Sequence, residues 1–486
     1  RPRAYLSNFE FIAENGTLEY SAGAPLGPLG CAYENAGELV CEMPSGVGRD
    51  YTLRVLAAGS LSDANSDGTL SYHEPMILRV NTTSGQPIDT RGYTGTTTGS
   101  LVNVYGLFFG PDAAYQDYGK GFVQYGPGYV AACSVVQEAV YQVEFESVLC
   151  DVSLLQCEPE AGIGAEHHWN VSVGAQWSEL SADTTSYKPP VILDMPDYQW
   201  PFVSTAGGDK ITVFGEQFGP ANVAATQINA EYGSDEQWGL GLPWSVRAES
   251  CKVEVPHTSV VCTVGEGTGL NHSWELEIGG QRSGRFDARS SYTAPLLNQF
   301  MVANASVNEV PDVHSFSTRG GQYVELVGAN FGPIPREGSF RPSILATALF
   351  MNADQQPFEW SHDNCAVTVA HTSIVCTTVE GVGAFLKWTL LVDNQTNKVP
   401  TTSYGQPHLT SVVRVGGPTD SGFDTAGNEI VEINGTNLGP SEDYVDRLTY
   451  GPSGSEYRLI DVSARINRCW FAVPHVSLRC YTLPGA

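Results

Sequence analysis

The sequence predicts an all-β protein, a tandem array of immunoglobulin-like β-sandwich domains forming an elongated rod. Three observations lead there. Strand-and-turn segments recur about every 110 residues, the strands between them alternate apolar with polar residues, and no long amphipathic or apolar helix can be read anywhere.

The first recurring element is a strand that runs into a glycine turn. It reads VNVYGLFFGP ending at Pro111, ITVFGEQFGP at Pro220, VELVGANFGP at Pro333 and VEINGTNLGP at Pro440. The second is a hairpin bounded by cysteines, as in CKVEVPHTSVVC, CAVTVAHTSIVC and CWFAVPHVSLRC. Behind it come a G-x-G turn and a period-2 strand: DYTLRV, HHWNVSV, HSWELEI and LKWTLLV. Trp274, Leu276 and Ile278 share one face of that strand while Glu275 and Glu277 share the other, so it is buried on one side and wet on the other. The last element, Ser-Tyr-x-x-Pro, closes each unit from Ser71, Ser186, Ser291 and Ser403. Short strands, many turns and a unit of this length fit the immunoglobulin-like sandwich.

These boundaries divide the chain into 1–74, 75–189, 190–294, 295–406 and 407–486. The first unit is expected to lack its opening strands and the last its closing ones. With Arg1 in place of an initiator Met, the chain reads as a processed product or a fragment. Joins such as SYKPPVI leave few residues to bend, and their prolines stiffen them.

The cysteines point to an oxidising compartment. Cys31/Cys41, Cys251/Cys262, Cys365/Cys376 and Cys469/Cys480 have the separation of a disulfide across a hairpin, and no CxxC zinc spacing occurs. Seven Asn-x-Ser/Thr acceptors, Asn15, Asn81, Asn170, Asn271, Asn304, Asn394 and Asn434, agree with an extracellular glycoprotein carrying N-linked glycans. Asn170 and Asn271 are expected on the outward side of the Trp strand; Asn434 stands where other units have Phe214, Val327 and Tyr105 and is expected to be less accessible.

Taken together, the G-G-x-x-V-x-V-x-G-x-N-F-G-P strand and turn, the cysteine hairpin, the G-x-G and the closing SYxxP resemble IPT/TIG domains. The resemblance implies an immunoglobulin-like module used in receptor ectodomains, surface proteins and some transcription factors. It names a scaffold and not an activity. Two departures stand out. Unit 75–189 holds three cysteines, Cys133, Cys150 and Cys157; Cys150–Cys157 is the favoured hairpin pair, leaving Cys133 free or intermolecular, with Cys133–Cys157 as the alternative. The segment TGTTTGS before Leu101 replaces the usual Gly-Gly entry.

Charge narrows the partners. A net charge of −28 disfavours nucleic acid and anionic lipid, and no apolar run long enough to span a membrane is present. The stretch DANSDGTLSYHE matches a twelve-residue calcium loop, with Asp63, Asn65, Asp67, Glu74 and the Thr69 carbonyl as ligands. Strands and not helices flank it, so it is no EF-hand; calcium and an ordinary acidic turn both fit, and no other cofactor is expected.

His257, His371 and His475 recur at one place in the hairpin and are expected to be scaffold. His167 and His168 are neighbours on a strand and point to opposite faces. No HExxH, GxSxG or phosphate loop occurs, so an enzyme is not expected. The leading expectation is a structural subunit of an extracellular fibre or surface appendage. It would assemble head to tail with copies of itself, with strand complementation between its incomplete ends. The alternative is a receptor or adhesin ectodomain that binds protein or glycan; a third is an array carried by a polysaccharide enzyme.

Overall fold

The computed structural model describes residues 47–50 and 71–485, apart from 96–100, 111–120, 196–201, 235–245, 303–312, 337–341, 352–356 and 418–421. It also describes the strands Phe9–Ile12, Cys31–Asn35, Glu38–Cys41, Thr52–Ala57 and Ser60–Leu61. Apart from two 3-10 turns, Ala225–Gln227 and Glu442–Tyr444, the regular structure described is β.

Unit 190–294 shows the plan most plainly. One sheet orders Val191–Asp194, Lys210–Glu216, Ser259–Thr263 and Ser250–Val255. The other orders Val246–Arg247, Ile228–Gly233, His272–Ile278 and Gln281–Arg282, and Phe286–Ser290 also pairs with His272–Ile278. First, second, sixth and fifth strands therefore form one layer and the rest the other, all antiparallel, as in an immunoglobulin sandwich. Unit 295–406 repeats the order, except that Pro357–Val369 pairs with both layers and joins them into one path. In 75–189 the strand Tyr129–Phe145 does the same. Unit 407–486 has its four-strand layer and three strands of the other; unit 1–74 has the hairpin Cys31–Asn35/Glu38–Cys41 and the layer of Phe9–Ile12, Thr52–Ala57 and Ser60–Leu61.

The expected alternation places the core. Trp169, Trp274 and Trp388 are buried; Trp169 stacks on Tyr125 and Trp274 on Tyr232, each at 4.3 Å. Each indole Nε1 donates within the unit, to Thr185 Oγ1 (2.9 Å), Ser290 Oγ (2.8 Å) and Thr402 Oγ1 (2.8 Å). A Trp buried this way removes enough apolar surface to contribute on the order of 4 kcal/mol, and the donated bond spares it a desolvation penalty.

One cysteine expectation is corrected. Cys133 is bonded to Cys157, and Cys150 is the free thiol. The hairpin is lengthened, not shortened: Tyr129–Phe145 and Val148–Pro159 pair along most of their length. In that register Cys133 faces Cys157, with Cα atoms 4.1 Å apart, while Cys150 faces Val143. The disulfides Cys251–Cys262, Cys365–Cys376 and Cys469–Cys480 bridge facing strands, and Cys31 faces Cys41 in register.

The closing SYxxP, read as a strand, is instead a single bridged residue. Tyr187, Tyr292 and Tyr404 form isolated parallel bridges to Ile88, Val203 and Phe316 of their own units.

Candidate interdomain interface

Where one unit meets the next, the short turns of the repeat come together. The first glycine of G-x-G lies under the closing tyrosine: a Cβ on Gly162, Gly267 or Gly381 would collide with the rings of Tyr187, Tyr292 and Tyr404. The second glycine has positive φ, and its carbonyl accepts the tyrosine N–H, as in Tyr187 to Gly164 (2.9 Å), Tyr292 to Gly269 (2.9 Å) and Tyr404 to Gly383 (2.8 Å). Burial pushes the Tyr187 and Tyr292 hydroxyls far above their ordinary range, and both donate to backbone carbonyls, Glu160 and Gly265. The G-x-G is thereby anchored to its own unit and offers its middle residue outward.

That middle residue meets the next unit's Phe-Gly-Pro turn, Leu-Gly-Pro in unit 407–486. A Cβ placed on Gly110, Gly219 or Gly332 would run into Val47, Ile163 or Thr268 respectively, and one on Gly439 would press on Val382 at 3.1 Å, each the middle residue of the preceding G-x-G. All four glycines have positive φ, from +73° to +100°. Glycine is required twice over, for the left-handed backbone and for the close approach. Ile163 is counted in the core of unit 190–294, although unit 75–189 carries it.

A second contact comes from the hairpin histidines. His257 Nδ1 lies 3.0 Å from Thr90 Oγ1, His371 Nδ1 3.1 Å from Thr205 Oγ1, and His475 Nδ1 3.0 Å from Thr318 Oγ1. In each case the threonine belongs to the unit before. His371 Nε2 faces Glu266 (3.9 Å) and His475 Nε2 faces Glu380 (3.6 Å), which favours the proton on Nε2 and leaves Nδ1 to accept the threonine hydroxyl. Burial lowers the pKa of His371, with Glu266 opposing; at His257 burial and Arg91 lower it, with Asp89 opposing.

A third contact was not foreseen. Gln176, Gln281 and Gln395, in the turn after the Trp strand, donate Nε2 to the backbone carbonyls of Tyr72 (2.9 Å), Tyr187 (2.8 Å) and Tyr292 (2.7 Å) of the preceding unit. Gln176 Oε1 also accepts the Gly48 N–H at 3.2 Å. The signal was present as VGAQ, IGGQ and VDNQ, one glutamine at one place in three units.

Each joint also has its own variation. Asp89 Oδ2 accepts Gln217 Nε2 (2.9 Å) while Gln217 Oε1 accepts the Thr90 N–H (2.9 Å). Burial raises the Asp89 pKa, but Gln217, the Arg91 N–H and the Arg91 and Lys188 charges outweigh it and the net shift is downward. Elsewhere Asn330 donates to the Ala294 carbonyl (3.0 Å) and Asn437 to that of Gln406 (3.3 Å). At the joint of 190–294 with 295–406, the Thr268 hydroxyl donates to Asp393, whose pKa is raised by burial against this bond and the Ser343 N–H. Unit 75–189 has no histidine at its hairpin; there Phe108 stacks on His73 at 4.7 Å and Phe145 meets both edge-on.

The remaining sequence-predicted residues make none of the glycine, histidine or glutamine contacts just described. Asp63, Asn65, Asp67 and Thr69 fall outside the described residues; Glu74 is exposed in the SYHEP segment. Among the described residues no group of three or more His, Cys, Asp or Glu side chains is placed to hold a metal. Asn15 and Asn304 also fall outside. Asn271 and Asn394 are exposed, Asn81, Asn170 and Asn434 half-buried. His167 is buried with Nε2 3.0 Å from the Ile163 carbonyl, while His168 is exposed. His272, equivalent to His167, is buried enough that its pKa falls to about 4, with a backbone bond to Thr268 opposing.

Sandwich topology, repeated cores and repeated joints make this chain a tandem array of immunoglobulin-like units. No protein family matches its sequence, and no curated protein does. Among solved structures, one described with a xylogluco-oligosaccharide matches at 15% identity over 62% of this chain and 55% of that one, TM-score 0.25. The Escherichia coli adhesin FdeC matches at 11% over 69% and 97%, TM-score 0.17. Immunoglobulin domains 1–5 of Sidekick-1 match at 10% over 99% and 89%, TM-score 0.15. This chain spans about half the length of the first of these. At such scores the likeness says nothing about function.

Proposed function

We propose that the chain is a structural subunit of an extracellular, glycosylated fibre or surface appendage, built from units of the IPT/TIG type. The observation that carries this reading is the recurrence of one joint. The contact between a G-x-G middle residue and a turn glycine occurs at all four borders, three times with Phe-Gly-Pro and once with Leu-Gly-Pro, and the histidine–threonine and glutamine–tyrosine contacts at three each. A chain that needed only flexible linkage would have no use for so many side chains spent on orientation. Paired cysteines and exposed glycan acceptors agree with an oxidising, extracellular setting. Contact of the end of one molecule with the start of the next is heterologous and yields open filaments. Electron microscopy of the purified protein tests the reading. Straight particles that lengthen into fibres with concentration are expected; bent, monodisperse monomers at every concentration would overturn it.

A further inference from the structure

The loop that receives the histidine occurs four times: Asp89–Gly92, Ser204–Gly207, Ser317–Gly320 and Asp424–Gly427. In all four it is built alike. The first side chain accepts the N–H two residues on: Asp89 from Arg91 (3.0 Å), Ser204 from Ala206 (3.2 Å), Ser317 from Arg319 (3.3 Å), Asp424 from Ala426 (2.9 Å). The threonine carbonyl accepts an N–H from Gly162, Gly267, Gly381 or Gly485, at 2.9–3.0 Å throughout. The difference is at the surface. Thr90, Thr205 and Thr318 are 1%, 2% and 1% exposed under the next unit's histidine, whereas Thr425 is exposed.

We infer that Asp424–Gly427 is the receiving half of a further joint, and that its occupant is an additional unit of this class with a histidine-tipped cysteine hairpin and a Gln-Phe-Gly-Pro turn. This rests on the structural reading above and sharpens its partner. The three filled loops show what fits a threonine in this setting. The first residue of the loop selects the residue before Phe-Gly-Pro or Leu-Gly-Pro. Asp89 is matched by Gln217, which bonds it; Ser204 and Ser317 are followed by Asn330 and Asn437, which reach instead to the closing SYxxP segment. Asp424 repeats Asp89, so the matching residue is glutamine.

The occupant is not one of the three histidine hairpins of this chain. His257, His371 and His475 already meet the chain's own threonines.

The test uses the full chain as receiver and residues 190–294 as a separate polypeptide probe. That unit has both layers of the sandwich, its own disulfide and all of its buried core but Ile163, and it carries Gln217-Phe218-Gly219-Pro220 and His257. Near-UV circular dichroism checks that it is folded. The expected result is binding, seen by NMR shifts of the His257 ring, that weakens about tenfold or more with Thr425→Val or Asp424→Ala on the chain and with His257→Ala on the probe. Glu254→Ala on the exposed part of the same hairpin leaves it unchanged. Gln217→Asn weakens it as well. Absence of binding at millimolar probe, or binding that ignores Thr425 and Asp424, overturns the inference. Fibres without this binding would leave the fibre reading standing alone; binding without fibres would do the reverse.

Discussion

His257 and Thr90 belong to different units, yet their Nδ1 and Oγ1 atoms lie 3.0 Å apart in a half-buried contact. Neither side chain is needed to complete its own sandwich. Their pairing is a statement about orientation: the cysteine hairpin of one unit is held on the loop of the unit before. Because the same couple recurs as His371–Thr205 and His475–Thr318, its loss should change shape before it changes folding. A neutral hydrogen bond contributes a net of about 1 kcal/mol. The triple variant His257→Ala/His371→Ala/His475→Ala is expected to keep its near-UV circular dichroism and broaden its small-angle scattering distance distribution. An unchanged distribution would mean the histidines do not set the joint.

The glycine of Phe-Gly-Pro offers a sharper probe. At Gly219 the backbone φ is +81° and an added Cβ would meet Ile163 Cγ2. Gly219→Ala therefore carries two costs, about 1–2 kcal/mol for the left-handed conformation and a further term for the clash. Shortening the partner with Ile163→Ala relieves only the second. The double variant should be more stable than the sum of the singles by roughly 1 kcal/mol, the mark of two residues in contact. Additive losses would place the cost within unit 190–294 and not at the joint.

Acid should weaken unit 190–294 through His272. Its pKa is about 4 in the fold, against an ordinary value of 6.5, because the ring is buried. Above pH 6.5 the ring is neutral folded and unfolded, and pH has no effect through it. Between 6.5 and 4 the unfolded chain binds the proton and the folded one does not, so stability falls as pH falls, by on the order of 3 kcal/mol in all. Leu386 holds this position in the following unit, so His272→Leu is a natural control. Hydrogen-exchange protection along His272–Ile278, taken relative to the intrinsic exchange rate at each pH, should fall from pH 7 to pH 4.5 far more in the parent than in the variant. An equal fall in both would assign the effect to other groups.

Much of this architecture was legible in sequence because it obeys period and punctuation. Trp274, Leu276 and Ile278 alternate as a half-buried strand must, and the glycine turns mark where each unit begins again. The hairpin histidines were seen as scaffold, but sequence could not say that they serve the neighbouring unit. A contact between Thr205 and His371 spans two domains and leaves no local pattern. Gln281 was missed for a related reason. A glutamine in a turn reads as solvent-facing until Tyr187 of the preceding unit is placed against it. The disulfide of unit 75–189 was misjudged because spacing reports hairpin length only when the hairpin is short. Here the two strands run on past the bonded pair, and register chose Cys133 over Cys150.

That register makes a chemical prediction. Cys150 is half-buried and opposite Val143, with no cysteine to meet it. Alkylation of the native, unreduced chain followed by peptide mass spectrometry should modify Cys150 and leave Cys133 and Cys157 in one disulfide-linked peptide pair. Cys150→Ser should leave the melting temperature within about 1 °C, as expected for removing a thiol that bridges nothing. Cys157→Ser, which opens the bond and frees Cys133, should cost about 2–4 kcal/mol. Labelled Cys133 in the native chain would restore the pairing first favoured from spacing.

The glycan acceptors should separate by exposure. Asn271 and Asn394 are exposed at turns with positive φ, beside the Trp strand and next to Gln395 respectively. Asn81 is half-buried on the strand Met76–Thr82, its Oδ1 buried without a hydrogen-bond partner among the described residues. A transferase must reach the amide and leave room for a large polar group, which an open turn permits and a packed strand does not. Asn434 is intermediate, with Nδ2 3.3 Å from Ser411 Oγ. Expression in a glycosylating host and enzymatic removal of N-glycans should convert Asn271 and Asn394 to aspartate in most molecules and Asn81 in few. A glycan on Asn394 would adjoin the joint residue Gln395, and Asn394→Gln should remove the sugar while leaving the bond of Gln395 to Tyr292 intact. Uniform occupancy at Asn81 and Asn394 would show that modification precedes folding and that exposure in the finished array does not select the sites.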